Sequence, residues 1–299
     1  MPDDYDFFQS VTSFFQNISD SVSASIDGAF ATRNRAQNEA SRWSNAQRTG
    51  IVTERDGKLQ KVPEYVYTLG ANARVIDCGL NPDLKHIEDR FQTFSRLKAL
   101  KLDGCSIAGT LPRSLMSARL LKVLNVRGNK LTTLPDAIGE LKMLEDLDVC
   151  ENALTTLPES LGMCAKLRIV RASRNALETG TREPGPSWLD ALGNCLELEV
   201  IVLSENPRLN GELPMSWGCL LKLKEIDVDG TSVSGVPREI FIACASLQTL
   251  SMRGCPIDVA ALKRTDGYDT YETKRQLKHD KQLSSRVLLN ASRLDERLR

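Results

Sequence analysis

Apolar residues return along the middle of the chain with a fixed rhythm. Leu121, Leu124, Val126 and Leu131 stand at positions 0, 3, 5 and 10 of a segment that carries Asn129 at position 8. Leu144, Leu147, Val149 and Leu154 repeat this with Asn152, and Leu167, Val170, Ala172 and Leu177 repeat it with Asn175. Further copies begin at Ala73, Leu97, Leu198, Leu223 and Leu247, and a degenerate one at Thr49. Successive starts are 24, 24, 24, 23, 23, 31, 25 and 24 residues apart. Positions 3 and 5 alternate with positions 2, 4 and 6, the period of a strand with one buried face. So short a strand cannot bury its apolar side alone, so the copies must stack and pair into a parallel sheet. The amide at position 8 (Asn81, Asn129, Asn152, Asn175, Asn206) can bond backbone groups left unpaired where the chain turns away, building a ladder. Cys105, Thr231 and Cys255 fill the same place with smaller groups and should loosen that ladder.

This pattern resembles the leucine-rich-repeat superfamily over residues 49–260. Leu131-Thr-Thr-Leu134-Pro135 and Leu154-Thr-Thr-Leu157-Pro158 look like the intracellular Ras-group type. Ile107-Ala-Gly-Thr-Leu111-Pro112, Leu209-Asn-Gly-Glu-Leu213-Pro214 and Val233-Ser-Gly-Val236-Pro237 resemble the plant type, and the mixture suggests a plant, alga or protist. The entry at 46–63 and the exit Gly267-Tyr268-Asp269-Thr-Tyr271 are similar to small cytosolic proteins of the leucine-rich-repeat-containing protein 57 type. Such relatives often begin Met-Gly, an acylation signal that Pro2 excludes here, so membrane attachment is not carried over. The resemblance implies an α/β solenoid: a horseshoe with its parallel β-sheet on the concave face and helical caps at both ends.

In that architecture positions 2, 4 and 6 face outward from the sheet. Candidate partner contacts are therefore Lys101, Asp103, Asn125, Arg127, Asp146, Asp148, Ile169, Arg171, Val200, Val202, Asp227, Asp229 and Arg253. Acidic patches, Asp146 with Asp148 and Glu225 with Asp227 and Asp229, flank a middle that holds Ile169, Arg171, Val200 and Val202. Apolar residues on an otherwise solvated face point to a contact site, while their being ordinary sheet-formers is the alternative. The spacing of 31 hides eight extra residues within Glu178–Ser187, a loop by composition ahead of Trp188, either a binding loop or a harmless bulge.

The ends differ from the repeats. Phe8, Val11, Phe15, Ile18, Val22, Ile26 and Phe30 make one apolar stripe at helical spacing, adjoined by Phe7 and Phe14. Residues 1–30 read as an amphipathic helix whose other face has five aspartates and no lysine or arginine. An anionic membrane surface would repel it; Phe7, Phe8, Phe14, Phe15 and Ile18 are expected to pack on the solenoid's end or in a partner's groove. Residues 31–48 read as an N-terminal capping helix. Residues 261–299, with ten basic and six acidic residues, read as a capping and basic C-terminal helix introduced by Asp258 as N-cap.

Composition changes this picture little. Thirty-nine basic and thirty-nine acidic residues cancel, so no basic excess marks a nucleic-acid binder. No stretch nears a membrane span, and no signal peptide is evident, so a soluble, cytoplasmic protein without membrane insertion is expected. The eight cysteines recur with the repeat and form no CxxC, which fits buried reduced thiols better than disulfides or zinc. His86 and His279 are the histidines, far apart in stacking order; no nucleophile, phosphate loop or metal spacing accompanies them. The reading is a non-enzymatic protein-binding scaffold with no catalytic residue, metal or cofactor. The partner is a protein, such as a small GTPase or other signalling protein. Two alternatives stand beside it: a structural subunit of a multi-subunit assembly tethered by its terminal helices, and a regulatory or inhibitory subunit of a signalling enzyme.

Overall fold

A computed structural model of the protein describes residues 33–179 and 187–276, with side chains from residue 40 onward. The chain divides into two compact units, Met1–Ser44 and Asn45–Arg299. The helix Arg33–Thr49 contains the boundary, and Ala46 is its buried residue in the second unit. Phe7, Phe8, Phe14, Phe15 and Ile18 lie outside the described residues, as do 180–186 of the expected loop and 277–299 of the basic segment.

The second unit holds one nine-stranded parallel sheet. Its strands are Ile51–Thr53, Val75–Asp77, Ala99–Lys101, Val123–Asn125, Asp146–Asp148, Ile169–Arg171, Val200–Val202, Glu225–Asp227 and Thr249–Ser251. Each occupies positions 2 to 4 of a repeat, and each pairs in register with its neighbour, so position 2 stands against position 2 and position 4 against position 4. A strand of three residues gains little from its own hydrogen bonds; what fixes it is the apolar ladder beneath. Leu97, Leu121, Leu144, Leu167, Leu198 and Leu223 at position 0 are fully buried, as are Leu100, Leu124, Leu147, Val170, Ile201 and Ile226 at position 3. The degenerate first repeat contributes Val52 to the same core. In the repeats with Asn-Pro (Asn81-Pro82, Asn206-Pro207) the inward residue after the turn comes one place later, as Leu84 and Leu209.

The asparagine ladder is continuous where asparagine is present. Asn175 Nδ2 donates to the carbonyls of Val149, Ala172 and Ser173 at 3.0, 3.1 and 3.2 Å, and its Oδ1 accepts the Leu154 N–H at 3.0 Å. Asn81, Asn129, Asn152 and Asn206 make the same set, each tying its own repeat to the one before. Where Cys105 and Cys255 substitute, the thiol reaches the preceding repeat with fewer bonds: Cys105 to the Cys78 carbonyl at 3.4 Å, and Cys255 to the Val228 carbonyl at 3.1 Å and the Thr231 hydroxyl at 3.3 Å. Thr231 instead bonds its own Val228 carbonyl at 2.7 Å.

The return path on the far side of the sheet is made of one-turn segments. Arg113–Ser117, Asp136–Glu140, Glu159–Met163 and Met215–Cys219 are 3-10 turns, and Glu64–Thr68, Trp188–Leu192 and Arg238–Ala243 are short α-helices. Pro63, Pro112, Pro135, Pro158, Pro214 and Pro237 each stand immediately before one of them. Proline suits that place because the first N–H of a helical turn has no intrahelical partner to lose. Before Trp188 the chain uses Ser187 and Asp190 as a capping box. Gly139, Gly162, Gly193 and Gly218 recur in these segments, and a Cβ on any of them would collide with the next segment. Both ends of the core carry aromatic clusters: Tyr67, Phe91 and Phe94 at the first repeats, Phe241, Tyr268 and Tyr271 at the last. The latter group belongs partly to a helical stretch over 268–276, which closes the last repeat. Asp258 caps the preceding helix Val259–Lys263 by accepting the Ala260 and Ala261 N–H groups.

Candidate protein-binding face

The outward side of the sheet is three rows of side chains, at positions 2, 4 and 6. Position 2 is mostly apolar: Ile51, Val75, Ala99, Val123, Asp146, Ile169, Val200, Glu225 and Thr249. Position 4 is mostly polar, with Val202 the apolar exception. The register sets Ile169 beside Val200 and Arg171 beside Val202, so Ile169, Val200 and Val202 form one half-buried apolar patch near the C-terminal third of the sheet.

Much of the charge around this patch is matched inside the molecule. Arg171 Nη1 reaches diagonally to Asp146 Oδ1 at 2.8 Å. Burial pushes the Asp146 carboxyl above its ordinary range, against which the Arg171 charge works. Arg127 pairs with Glu151 at 2.6 Å, and Arg253 with Asp229 at 3.1 Å. Burial would raise the Asp229 carboxyl, but bonds from the Ser251 hydroxyl and the Arg253 N–H outweigh it and hold the group below its usual range. Asn125, Asp148 and Asp227 each accept the N–H two residues on, of Arg127, Cys150 and Asp229 at 3.0, 3.1 and 3.0 Å. Those three candidate residues therefore have a turn-forming role as well as an exposed side.

Lys101 and Asp103, candidate contacts from their positions 4 and 6, join a charge cluster with Arg55 and Asp77 that the spacing alone did not reveal. Arg55, at position 6 of the degenerate repeat, spans a whole repeat to bond Asp103 with both nitrogens at 3.0 and 2.6 Å, and Asp77 at 3.2 Å. This reach is open because Gly79 occupies the intervening position 6: a Cβ there would stand 2.7 Å from Asp103 Oδ1. Burial raises the Asp77 carboxyl and lowers the Lys101 amine, with the opposite charges of the cluster resisting both. The signal was the glycine among polar residues at position 6.

Two alternating charge ladders border the sheet. Before the strands, position 1 carries Lys122–Glu145 at 2.9 Å and Glu199 between Arg168 and Lys224 at 2.7 and 2.5 Å. After them, Glu151 joins Arg127 to Arg174 at 3.3 Å, and Arg174 joins Glu205 at 3.0 Å. Among the described residues no group of three or more His, Cys, Asp or Glu is placed to hold a metal ion, and no helix is long and apolar enough to cross a membrane.

Comparison with known proteins agrees with this architecture. The Leucine Rich Repeat family model matches residues 120–141. Plant intracellular Ras-group-related LRR protein 7 of Oryza sativa subsp. japonica is 36% identical over 53 residues, 18% of this chain and 20% of that protein. An LRR repeats and ubiquitin-like domain-containing protein of Arabidopsis thaliana is 38% identical over 53 residues, 18% of this chain and 14% of that one. The match thus spans a fifth or less of either relative. Among solved structures, a plant peptide hormone receptor, RGFR1 in complex with RGF2, superposes with a TM-score of 0.57 at 27% identity, over 66% of this chain and 31% of the receptor. A plant ice-binding protein does so with a TM-score of 0.56 at 22% identity, over 66% of this chain and 61% of that one. With nine in-register parallel strands, an asparagine ladder and these matches, the repeats are leucine-rich repeats and the chain folds as a leucine-rich-repeat solenoid.

Proposed function

We propose that the protein is a non-enzymatic scaffold that holds a protein partner on the outward face of its sheet, centred on Ile169, Val200 and Val202. One observation carries this reading. Ile169 and Val200 stand in register on adjacent strands, and Val202 adds the apolar exception of the position-4 row, so apolar surface here is two rows wide, whereas Ile51, Val75, Ala99 and Val123 keep to position 2. Apolar surface in such a setting is stabilised by being covered, at about 25 cal/mol per Å² removed from water. The solenoid suits the task because its strands are held by the core beneath rather than by the face itself, so the face is ordered before anything binds and little ordering entropy opposes association. Arg171 is held by Asp146, which makes it a rim for the patch rather than its centre.

A photo-crosslinking benzophenone amino acid at position 202 of the full chain tests the reading. Crosslinks to a discrete partner should form from position 202 and not from position 221, whose leucine is exposed on another surface of the repeats. Crosslinking from 221 but not from 202 would overturn the assignment.

A further inference from the structure

Resting on that reading of the apolar patch, we infer that the segment it receives is basic on both flanks and apolar between: lysine or arginine about 14 Å apart, the span of three strand spacings. The inference comes from a charge balance. On positions 2, 4 and 6 of the sheet, Arg55 is met by Asp77 and Asp103, Arg127 by Glu151, Asp146 by Arg171, and Asp229 by Arg253. Lys101 sits in the field of Asp77 and Asp103. Among the described residues on these rows, Asp148, Glu225 and Asp227 are the carboxylates with no cation within ion-pair distance.

These three are not scattered. Asp148 lies on one side of the patch, on the strand next to Ile169–Arg171, and Glu225 and Asp227 lie on the other, on the strand next to Val200–Val202. Asp148, Arg171, Val202 and Asp227 follow one another along the position-4 row. The repeat that supplies Val200 and Val202 places Ser204 at position 6 and so adds no charge of its own to these rows. Both border ladders show that this chain readily puts a lysine or arginine opposite a carboxylate one repeat away. Opposite Glu225 and Asp227 it places Val200 and Val202 on one side and Thr249 and Ser251 on the other. Asp148 faces Arg171, whose guanidinium bonds Asp146 instead, so carboxylates without an ion pair stand on either side of the apolar surface. An acidic or uncharged partner would leave those carboxylates desolvated and uncompensated, a cost that selects against it. A partner with flanking bases would neutralise both sides while its apolar residues cover Ile169, Val200 and Val202.

The test uses random peptides of about twelve residues displayed on phage, a length that spans the distance even as a helix, selected on the full-length protein. Enriched peptides should carry lysine or arginine on both sides of an apolar core. Their synthetic versions should lose at least tenfold in affinity to the triple variant Asp148→Asn, Glu225→Gln, Asp227→Asn. Asparagine at 148 and 227 keeps the turn acceptor, as Asn125 does at the same position. Affinity should also fall as ionic strength rises from about 0.05 M to about 0.5 M. Peptides that lose binding to Val202→Asp but not to the triple variant would overturn this inference and leave the docking face standing. Peptides indifferent to both variants would overturn the two together, and so would a selection that enriches nothing.

Discussion

The residue scale decides how much of the repeat can be read from letters. Asparagine at position 8 was legible because one side-chain type must both donate to carbonyls of two repeats and accept an N–H, and no other residue of that size does so. Removing it leaves several buried backbone groups unpaired, each worth about 1–3 kcal/mol. Asn175→Ala is therefore expected to destabilise the protein by about 3 kcal/mol, measured by urea unfolding; a loss below about 1 kcal/mol would show that the ladder is ornamental. Position 7 was not legible. Asp56, Leu80, Glu151, Arg174 and Glu205 there have left-handed backbones, φ between 51° and 56°, as do Gly104, Gly128, Gly230 and Gly254. The turn imposes that conformation whatever the residue, so glycine in fewer than half the copies hides it. Leu80→Gly should stabilise the fold by about 1 kcal/mol, since a bulky residue is strained there, and Gly128→Val should cost about as much or more. Opposite signs in thermal unfolding of the two variants check the claim. The thiols give a further expectation. Burial pushes Cys150, Cys164 and Cys244 up to about 11 and Cys195 up to about 12, and raises Cys78 well above its ordinary value. The thiolate is the reactive species, so iodoacetamide at mildly alkaline pH should label exposed Cys219 in the native protein and reach Cys78, Cys150, Cys164, Cys195 and Cys244 only on unfolding. Native labelling of Cys164 in peptide mass spectrometry would contradict the packing.

At the scale of elements, the strands were readable and the return segments were not. Period-2 alternation marks a half-buried strand even over three residues, because the repeat supplies the statistics that one strand lacks. A five-residue 3-10 turn has no period to recognise; only its leading proline announces it. What sets the distance between neighbouring turns is the row Gly139, Gly162, Gly193 and Gly218. At Gly162 a Cβ would press on the backbone carbonyl of Ala191, a part of the chain that cannot rotate away. Gly162→Val should separate two segments and destabilise by about 2–4 kcal/mol in chemical unfolding. Gly162 is not among the glycines with a left-handed backbone, so its loss reports the collision itself, whereas Gly109, where a Cβ meets nothing within 4 Å, has φ 78° and reports backbone strain alone. A loss below about 1 kcal/mol for Gly162→Val would mean that spacing between turns is not the constraint.

For the whole molecule, the sequence showed which face looks outward but not how its charges are spent. Arg171 and Arg127, candidate partner contacts by their positions 4 and 6, also bond within the chain, and the pairs Arg171–Asp146 and Arg127–Glu151 join different repeats and different rows. The link from Arg55 to Asp103 skips a repeat altogether and depends on Gly79 for its path, a relation that exists only once the repeats are stacked. Beside those internal pairs, Ile169, Val200 and Val202 are where apolar surface extends across both position 2 and position 4 of the face, and the proposed docking centre is placed there. Quantitative affinity purification of the full chain, comparing wild type with Val202→Asp and Leu221→Asp, tests that conclusion directly, with circular dichroism confirming that each variant folds. The account predicts that partners recovered by the wild type are lost at least tenfold with Val202→Asp and kept with Leu221→Asp. Recovery of the same proteins at the same level with Val202→Asp would contradict it.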